Sequence, residues 1–226
     1  MEIDLAPILE AEPGEPGSLW KAVANIPYYI TTPLIERLIA VKERLERIVL
    51  AVQREVADRL IAAPGTEAYG ALSVFVQYHT VPEITARVSR NAFLPPPGVD
   101  SAIVRLLVRR EPAAPVRDER LFFQVVRAAF QQRRKTLLNA LTTVPGLTRE
   151  GAGAALARAG IGPTRRGETL GVPEFARLAD AVLECQGDRN NHEDTKDTKD
   201  TKRIGKGIEM DRLNRIENRL RSNGSG

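Results

Sequence analysis

Short apolar runs alternate with amphipathic segments along the first half of the chain. Residues 21–24 predict a short buried strand that ends at Asn25, and the fully apolar run Ile48–Val52 predicts a second one. Between them, apolar side chains recur at helical spacing from Leu34 to Leu45. The order strand, helix, strand is typical of an α/β fold with parallel strands.

Local signals place the helix ends. We expect Thr32 to cap the first helix and Pro33 to lie in its first turn. A second helix is predicted over Arg54–Ala63, where Pro64-Gly65 stops it. The segment Leu72–Tyr78 fits either a helix or a strand.

Two further strands are predicted over Ile84–Val88 and Ala102–Val108, which are rich in β-branched residues. Between them lies the proline-rich segment Phe93–Gly98. Its three prolines cannot donate to a strand ladder, so we expect an ordered, extended loop that holds its neighbours in place.

The character of the chain changes after residues 111–115, which contain two prolines. Helical patterns replace strand patterns up to about Leu183, and Asp-Thr-Lys then occurs three times in tandem from Asp194 to Lys202. The predicted organisation is an α/β domain, a small helical domain and a disordered tail, over residues 1–111, 116–185 and 186–226 respectively.

Composition places the chain among ordinary globular proteins, with 42% hydrophobic and 27% charged residues. The single cysteine, Cys185, excludes an internal disulfide, and no apolar run approaches twenty residues. We therefore expect a soluble cytoplasmic protein. The net charge of +4 permits nucleic-acid binding, but only clustered charge would indicate it.

The segment Asn25-Ile26-Pro27-Tyr28 follows the first predicted strand directly. The carboxyl ends of parallel strands are where open α/β sheets bind ligands. An amide oxygen and a backbone carbonyl directed by proline can accept both N–H bonds of an exocyclic amine, and tyrosine offers a face for a base. The alternative is a strand that ends in a turn, with Tyr28 in the core, and these four residues alone leave both open.

Asn25 to Pro33 (NIPYYITTP) resembles the N-L-P-Y-x-I-[ST]-[ST]-P motif of the ribosomal RNA small-subunit adenine dimethyltransferases. The resemblance extends over about residues 1–184 and implies part of a Rossmann-like class I methyltransferase sheet followed by a helical RNA-binding domain. Four further segments match in the family's order: 53–60 (QREVADRL), 68–74 (AYGALSV), 93–106 (FLPPPGVDSAIVRL) and 129–141 (AFQQRRKTLLNAL).

This resemblance implies methyl transfer from S-adenosyl-L-methionine to N6 of two adjacent adenosines in a hairpin near the 3′ end of small-subunit rRNA. Asn25 would contact both the cofactor and the amine, and the Ile26 carbonyl, directed by Pro27, would be the second acceptor. Tyr28 would stack on the extruded adenine, and Phe93 would cover it, although a role for Phe93 in the core stays open. The implied partner is the immature small subunit. We expect a monomer that uses no metal and no membrane.

The densest basic cluster of the predicted folded part is residues 131–135 (QQRRK). The apolar pairs before it, at 121/122, 125/126 and 129/130, predict apolar side chains at 133 and 134, where two arginines stand instead. Either the helix breaks near Gln132, or the arginines face an RNA groove; a solvated charged face is the third possibility. The candidate RNA-binding residues are Arg133, Arg134 and Lys135, with Arg54, Arg59, Arg105 and Arg109 as weaker candidates for the same surface.

Other titratable residues carry no predicted chemistry. His79 and His192 have no metal or triad spacing with Cys185 or with acidic residues. Glu55 and Asp58 lie within one helical turn of Arg59, which indicates a local ion-pair network rather than an acid–base pair.

The chain departs from the family's pattern upstream of Asn25, where the resemblance calls for a glycine-rich cofactor loop and acidic cofactor ligands. We therefore expect this chain alone to be inactive and to bind S-adenosylmethionine very weakly or not at all, which micromolar binding by calorimetry would contradict. The strand at residues 21–24, central in the family, is expected to be an edge strand here. Two alternatives remain: a resistance-type methyltransferase of large-subunit rRNA, and a non-catalytic RNA-binding or ribosome-assembly protein.

Overall fold

A parallel pair of strands joined by a helix begins the part of the chain that the computed structural model describes, residues 19–132 and 134–187. The four strands are β1 (Trp20–Asn25), β2 (Leu45–Gln53), β3 (Thr80–Val88) and β4 (Ser101–Val108). The helices are α1 (Thr31–Ala40), α2 (Arg54–Leu60), α3 (Ala71–His79), α4 (Glu119–Gln131), α5 (Leu137–Ala140), α6 (Arg149–Arg158) and α7 (172–187).

The sheet has the order β1-β2-β4-β3. β1 and β2 are parallel, with α1 as their crossover, whereas β4 runs antiparallel to both of its neighbours, β2 and β3. The carboxyl ends of β1, β2 and β3 therefore lie beside the start of β4. We call this end of the sheet the rim and define it by its terminal residues, Asn25, Gln53, Val88 and Ser101.

The predicted α/β fold is confirmed, with one correction at the first helix. α1 begins at Thr31 rather than after a cap at Thr32. The Thr31 hydroxyl is buried and donates to the Tyr28 carbonyl at 3.0 Å. Thr32 and Pro33 lie in the first turn, where proline is tolerated because that turn's N–H groups have no helical partner.

The ambiguous segment Leu72–Tyr78 belongs to helix α3. The Ser73 side chain accepts a hydrogen bond from the Gly70 N–H at 3.0 Å, which fixes the start of the helix. The same hydroxyl donates to the Arg59 carbonyl at the end of α2, at 2.6 Å. The spacing of apolar residues carries no information about this tertiary hydrogen bond. The sequence alone therefore could not decide between a helix and a strand for Leu72–Tyr78.

Helix α2 is shorter than predicted, because it ends at Leu60 rather than Ala63. The Gln77 amide donates to the carbonyls of Leu60, at 3.1 Å, and Ala62, at 2.8 Å. These carbonyls face a side chain from α3 instead of further helical N–H groups. The predicted stop at Pro64-Gly65 therefore begins four residues after Leu60, the last residue of the helix.

The core lies under the two middle strands, where alternate side chains of β2 and β4 are fully buried, among them Ile48, Leu50 and Val104. β1 pairs only with β2 among the described residues, and Val23 on it is 76% exposed. Within the described residues β1 therefore lies at an edge of the sheet, as expected.

Beyond β4 the described elements are helical, as predicted. Phe122 of α4 stacks on Tyr78 of α3, with ring centroids 4.7 Å apart, and the buried Tyr69 hydroxyl donates to the Leu170 carbonyl at 2.9 Å. The described residues up to Leu183 form one compact unit, and residues 184–187, which are helical, belong to a second. From residue 188 on, the predicted tail lies outside the described residues. Within residues 19–132 and 134–187, no helix is long and apolar enough to cross a membrane.

Candidate functional site

The segment after β1 leaves the rim in a tight turn. Asn25 is exposed at the end of the strand, Ile26 is buried and Pro27 is exposed. The Pro27 carbonyl accepts the Ile30 N–H at 3.2 Å, and the next carbonyl, that of Tyr28, accepts the Thr31 hydroxyl. The backbone beyond Ile26 is thus fixed by local hydrogen bonds, while the Asn25 amide faces solvent.

The Tyr28 ring is half-buried, so it is not part of the closed core. Its hydroxyl lies 2.7 Å from the hydroxyl of Ser101, the first residue of β4. Ser101 is only 1% exposed, whereas the neighbouring Tyr29 is 84% exposed. Of the two adjacent tyrosines, therefore, only Tyr28 is tied to the sheet.

The proline-rich segment is an ordered loop, as predicted, and it begins with a short turn at Arg90–Ala92. Phe93 follows this turn and is half-buried, while Leu94 is 99% exposed. A half-exposed Phe93 is compatible with both sequence interpretations, partial packing and an aromatic wall of a site.

Asp100 anchors this loop from its other end. Its carboxylate accepts the Arg90 backbone N–H at 3.2 Å and the Arg54 guanidinium at 3.1 Å. In addition, the Arg54 N–H donates to the Asp100 carbonyl at 3.0 Å. The loop that carries Phe93 is therefore held against the start of α2 at the rim.

The rim brings together groups with complementary abilities. An exposed amide at Asn25 can accept and donate hydrogen bonds, and the half-exposed ring of Tyr28 can stack on a planar group. The Phe93 loop is anchored at the same end of the sheet through Asp100. This arrangement suits a flat, hydrogen-bonding ligand such as a nucleobase.

The basic cluster lies just after α4. The helix ends at Gln131, and Gln132 has a non-helical backbone with φ −125° and ψ 64°. Of the three possibilities for the missing apolar residues, the helix break near Gln132 is confirmed. Arg134 and Lys135 are exposed, and Arg133 lies outside the described residues. Their contact with RNA stays a prediction.

The other candidate arginines have local partners. Arg59 pairs with Glu55 at 2.7 Å, as the sequence predicts, and Arg105 pairs with Glu83 on the neighbouring strand. Arg54 binds Asp100, and the Arg109 side chain donates to the Thr80 carbonyl at 3.1 Å. The exposed ion pairs of Arg54, Arg59 and Arg105 contribute little to stability. Contact of these arginines with RNA stays a prediction.

Sequence reasoning missed Asp100 and Ser101, the two residues that join the loop and Tyr28 to the sheet. It also missed a cavity of about 660 Å³ between α1, α3 and α4. The wall of this cavity includes His79, whose burial, together with the nearby Lys42 ammonium, lowers its pKa to about 4. The sequence signal for Asp100 and Ser101 was their position between the proline-rich loop and an apolar strand.

Comparisons with known proteins agree on one family. The model of the ribosomal RNA adenine dimethylase family matches residues 7–180. The ribosomal RNA small subunit methyltransferase A of Pelotomaculum thermopropionicum is 55% identical over 77% of this chain and 59% of its own length. The protein of the same name from Moorella thermoacetica is 52% identical over 71% of this chain and 55% of its own length.

Solved structures show the same fold. A dimethyladenosine transferase from Plasmodium falciparum gives a TM-score of 0.60 at 24% identity, over 74% of this chain and 69% of that one. The 23S rRNA methyltransferase ErmE gives a TM-score of 0.55 at 26% identity, over 77% of this chain and 69% of that one. The chain spans less than two thirds of the length of the curated relatives it matches.

Proposed function

Because the chain belongs to the ribosomal RNA adenine dimethylase family, we propose that its rim is the adenine site of a small-subunit rRNA dimethyltransferase. The reaction is transfer of methyl groups to N6 of two adjacent adenosines in a hairpin near the 3′ end of that RNA. The observation that carries this proposal is the exposed Asn25 at the end of β1, followed by the Pro27 turn and the half-exposed Tyr28.

The acceptor amine is held by two oxygens. The Asn25 side-chain oxygen and the Ile26 carbonyl accept its two N–H bonds, which draws the nitrogen toward tetrahedral geometry and frees its lone pair. Positioning and hydrogen bonding therefore replace a strong base. This agrees with the rim as the described residues form it, since none of its four terminal residues is a histidine.

Two aromatic residues hold the adenine ring itself. Tyr28 stacks on one face, and Phe93 covers the base from the proline-rich loop. Extruding a base from its stack costs a few kcal/mol, which is lower in a hairpin loop than in a duplex. Stacking between aromatic side chains offsets this cost, at about 1–3 kcal/mol per base.

Methyltransferases of this type use S-adenosylmethionine, which supplies an electrophilic methyl group when it is bound. Asn25 suits contact with this donor, because its amide is exposed at the end of β1. The amide both donates and accepts hydrogen bonds, so it can face the donor and the amine together.

The RNA backbone is bound by the basic cluster, with Arg133, Arg134 and Lys135 on phosphates and Arg59 and Arg105 as further contacts. The substrate in this proposal is the immature small subunit, and the protein acts as a monomer. Identities of 55% and 52% to two proteins named ribosomal RNA small subunit methyltransferase A support this choice of substrate.

The test uses the full chain and two RNA hairpins, one from the 3′ end of small-subunit rRNA and one from large-subunit rRNA. We define the adenine contribution as the ratio of two dissociation constants, that of the hairpin made abasic at both target positions over that of the intact hairpin. We expect tighter binding of the small-subunit hairpin and an adenine contribution of about fivefold or more, from the stacking energy.

Variants assign this contribution to the rim. Tyr28→Ala and Phe93→Ala should each reduce it toward one, while Tyr29→Ala, a matched control at an exposed neighbour, should leave it unchanged. Preference for the large-subunit hairpin would favour the resistance-type activity. An adenine contribution of one in the unmodified chain would favour a non-catalytic RNA-binding protein.

Methyl transfer is measured in parallel on immature small subunits with S-adenosylmethionine, with N6,N6-dimethyladenosine detected by mass spectrometry. Any dimethylation by the chain should be lost in Asn25→Ala, because that substitution removes one of the two acceptors of the amine. Methylation of large-subunit RNA alone would reject the small-subunit assignment.

A further inference from the structure

We propose that Ser101 is a positioning residue of the adenine site, whose hydroxyl holds the Tyr28 ring in the orientation that stacks on the base. This inference rests on the proposed function of the rim. The observation behind it is a contact of 2.7 Å between two hydroxyls that are 73 residues apart in the sequence.

Ser101 is a rigid anchor. It begins β4, a middle strand of the sheet, and pairs with Gln53 of β2 on one side and Val88 of β3 on the other. Its exposure of 1% leaves its hydroxyl no access to bulk water. Because the Ser101 side chain has little freedom to move, Tyr28 must take the ring orientation in which its hydroxyl reaches that of Ser101.

Tyr28 is restrained both at its backbone and at the end of its side chain. The Thr31 hydroxyl binds its carbonyl at 3.0 Å, and Ser101 binds its phenolic oxygen. A ring that is restrained at the backbone and at the far end of the side chain cannot swing, although it is half-exposed. Such restraint lowers the entropy that the ring loses when it stacks on a base.

Ser101 also follows Asp100 directly, and Asp100 anchors the loop that carries Phe93. The two residues at the start of β4 therefore restrain both proposed aromatic walls, Tyr28 through Ser101 and Phe93 through Asp100. The alternative is that the Tyr28 hydroxyl only provides a hydrogen-bond partner for the buried Ser101 hydroxyl and does not affect adenine binding.

The experiment removes the hydrogen bond from either side and measures the adenine contribution defined above, using the full chain and the small-subunit hairpin. Ser101→Ala and Tyr28→Phe should each lower it by about threefold to tenfold, the usual net worth of one hydrogen bond. The double variant should lose no more than either single one, because both remove the same interaction. Tyr29→Phe is the matched control and should change nothing.

Affinity for the abasic hairpin separates positioning from folding. It should be the same in all variants, because the phosphate contacts do not depend on the Tyr28 ring. A loss that is equal for abasic and intact hairpins would mean damaged folding and would overturn the proposal. So would additive losses in the double variant, or an unchanged adenine contribution in both single variants.

Tyr28→Ala separates this inference from the function on which it rests. If it abolishes the adenine contribution while Ser101→Ala and Tyr28→Phe do not affect it, the adenine site stands and the positioning role of Ser101 is rejected. If Tyr28→Ala has no effect either, the proposed adenine site itself is wrong.

Discussion

The Lys42 ammonium lies 3.2 Å from Nδ1 of His79, whose side chain is buried between α1 and α4. The other ring nitrogen is 3.9 Å from a Glu119 carboxylate oxygen, and Phe75, Tyr78 and Phe123 surround the ring. The pKa of His79 is lowered to about 4, mainly by burial and to a smaller extent by the positive charge of Lys42. The imidazole is therefore neutral in the folded protein at pH 7.

This pKa predicts a loss of stability in mild acid. As the pH falls below 6.5, His79 becomes protonated in the unfolded chain, whereas in the folded chain it becomes protonated only near pH 4. The free energy of unfolding therefore falls between these two pH values. The contribution of His79 to this fall is about 2 kcal/mol by pH 5 and saturates below pH 4. Urea unfolding at pH 7 and pH 5 measures it.

The variant for this test is His79→Gln, which cannot titrate. Its own difference in stability between pH 7 and pH 5 should be smaller than that of the unmodified chain by about 2 kcal/mol. His192→Gln, at the other histidine of the sequence, should lose as much unfolding free energy between pH 7 and pH 5 as the unmodified chain. An equal pH dependence in all three chains would show that His79 is not the group responsible.

Asp100→Ala should loosen the proline-rich loop with little loss of global stability. The pair that Asp100 forms with Arg54 is exposed, with 58% and 41% of the two side chains accessible, and such pairs contribute less than about 1 kcal/mol. The Arg90 N–H, however, loses its acceptor. We expect faster hydrogen exchange across residues 90–99 and a smaller adenine contribution.

The matched control is Asp58→Ala, since Asp58 pairs with Arg87 at the same distance of 3.1 Å and almost the same exposure, 57% and 41%. It should leave exchange in the loop and the adenine contribution unchanged. If both variants affect RNA binding equally, loss of a surface charge explains the result and the anchoring role of Asp100 does not.

Arg134→Ala should weaken RNA binding in a salt-dependent way. Arg134 is exposed in the basic cluster after α4, and the loss of one phosphate contact reduces the slope of log affinity against log salt by about 0.7 to 1. Arg120→Ala removes an exposed arginine from the start of α4, about 17 Å by helical rise from Gln131, where that helix ends. The prediction fails if the two variants have the same slope.

Gly167→Ala should destabilise the helical part of the chain. A Cβ at this position would stand 2.8 Å from both the Cβ and the carbonyl oxygen of Ala129, so the backbone of α4 would have to move just before the basic cluster. Overpacking of this kind costs about 1–3 kcal/mol. Urea unfolding and RNA affinity both report the change.

Gly153→Ala is the control for this substitution. Gly153 lies in α6, and its nearest atom to a new Cβ is a Leu138 methyl carbon at 3.8 Å, so the alanine fits. Alanine in a helix interior should raise stability by about 0.5–1 kcal/mol. Effects of the same sign at the two positions would contradict the packing geometry.

The sequence by itself determined the elements and the chemistry of one segment. Apolar runs and helical spacing predicted the strands at β1, β2 and β4, because side-chain periodicity is a local property of the chain. The residue types in Asn25–Tyr28 predicted hydrogen-bond acceptors and an aromatic face for the same reason. Thr32 as a helix cap was wrong, since Thr31 hydrogen-bonds within the turn that follows β1.

Only the tertiary structure decided which distant residues share the rim. Strand order and register are set by the packing of whole elements, which local periodicity does not encode. The insertion of β4 between β2 and β3 places Ser101 beside Tyr28, and a hydrogen bond from Gln77 ends α2 early. These contacts join residues far apart in sequence, so they arise only once the sheet and its helices have assembled.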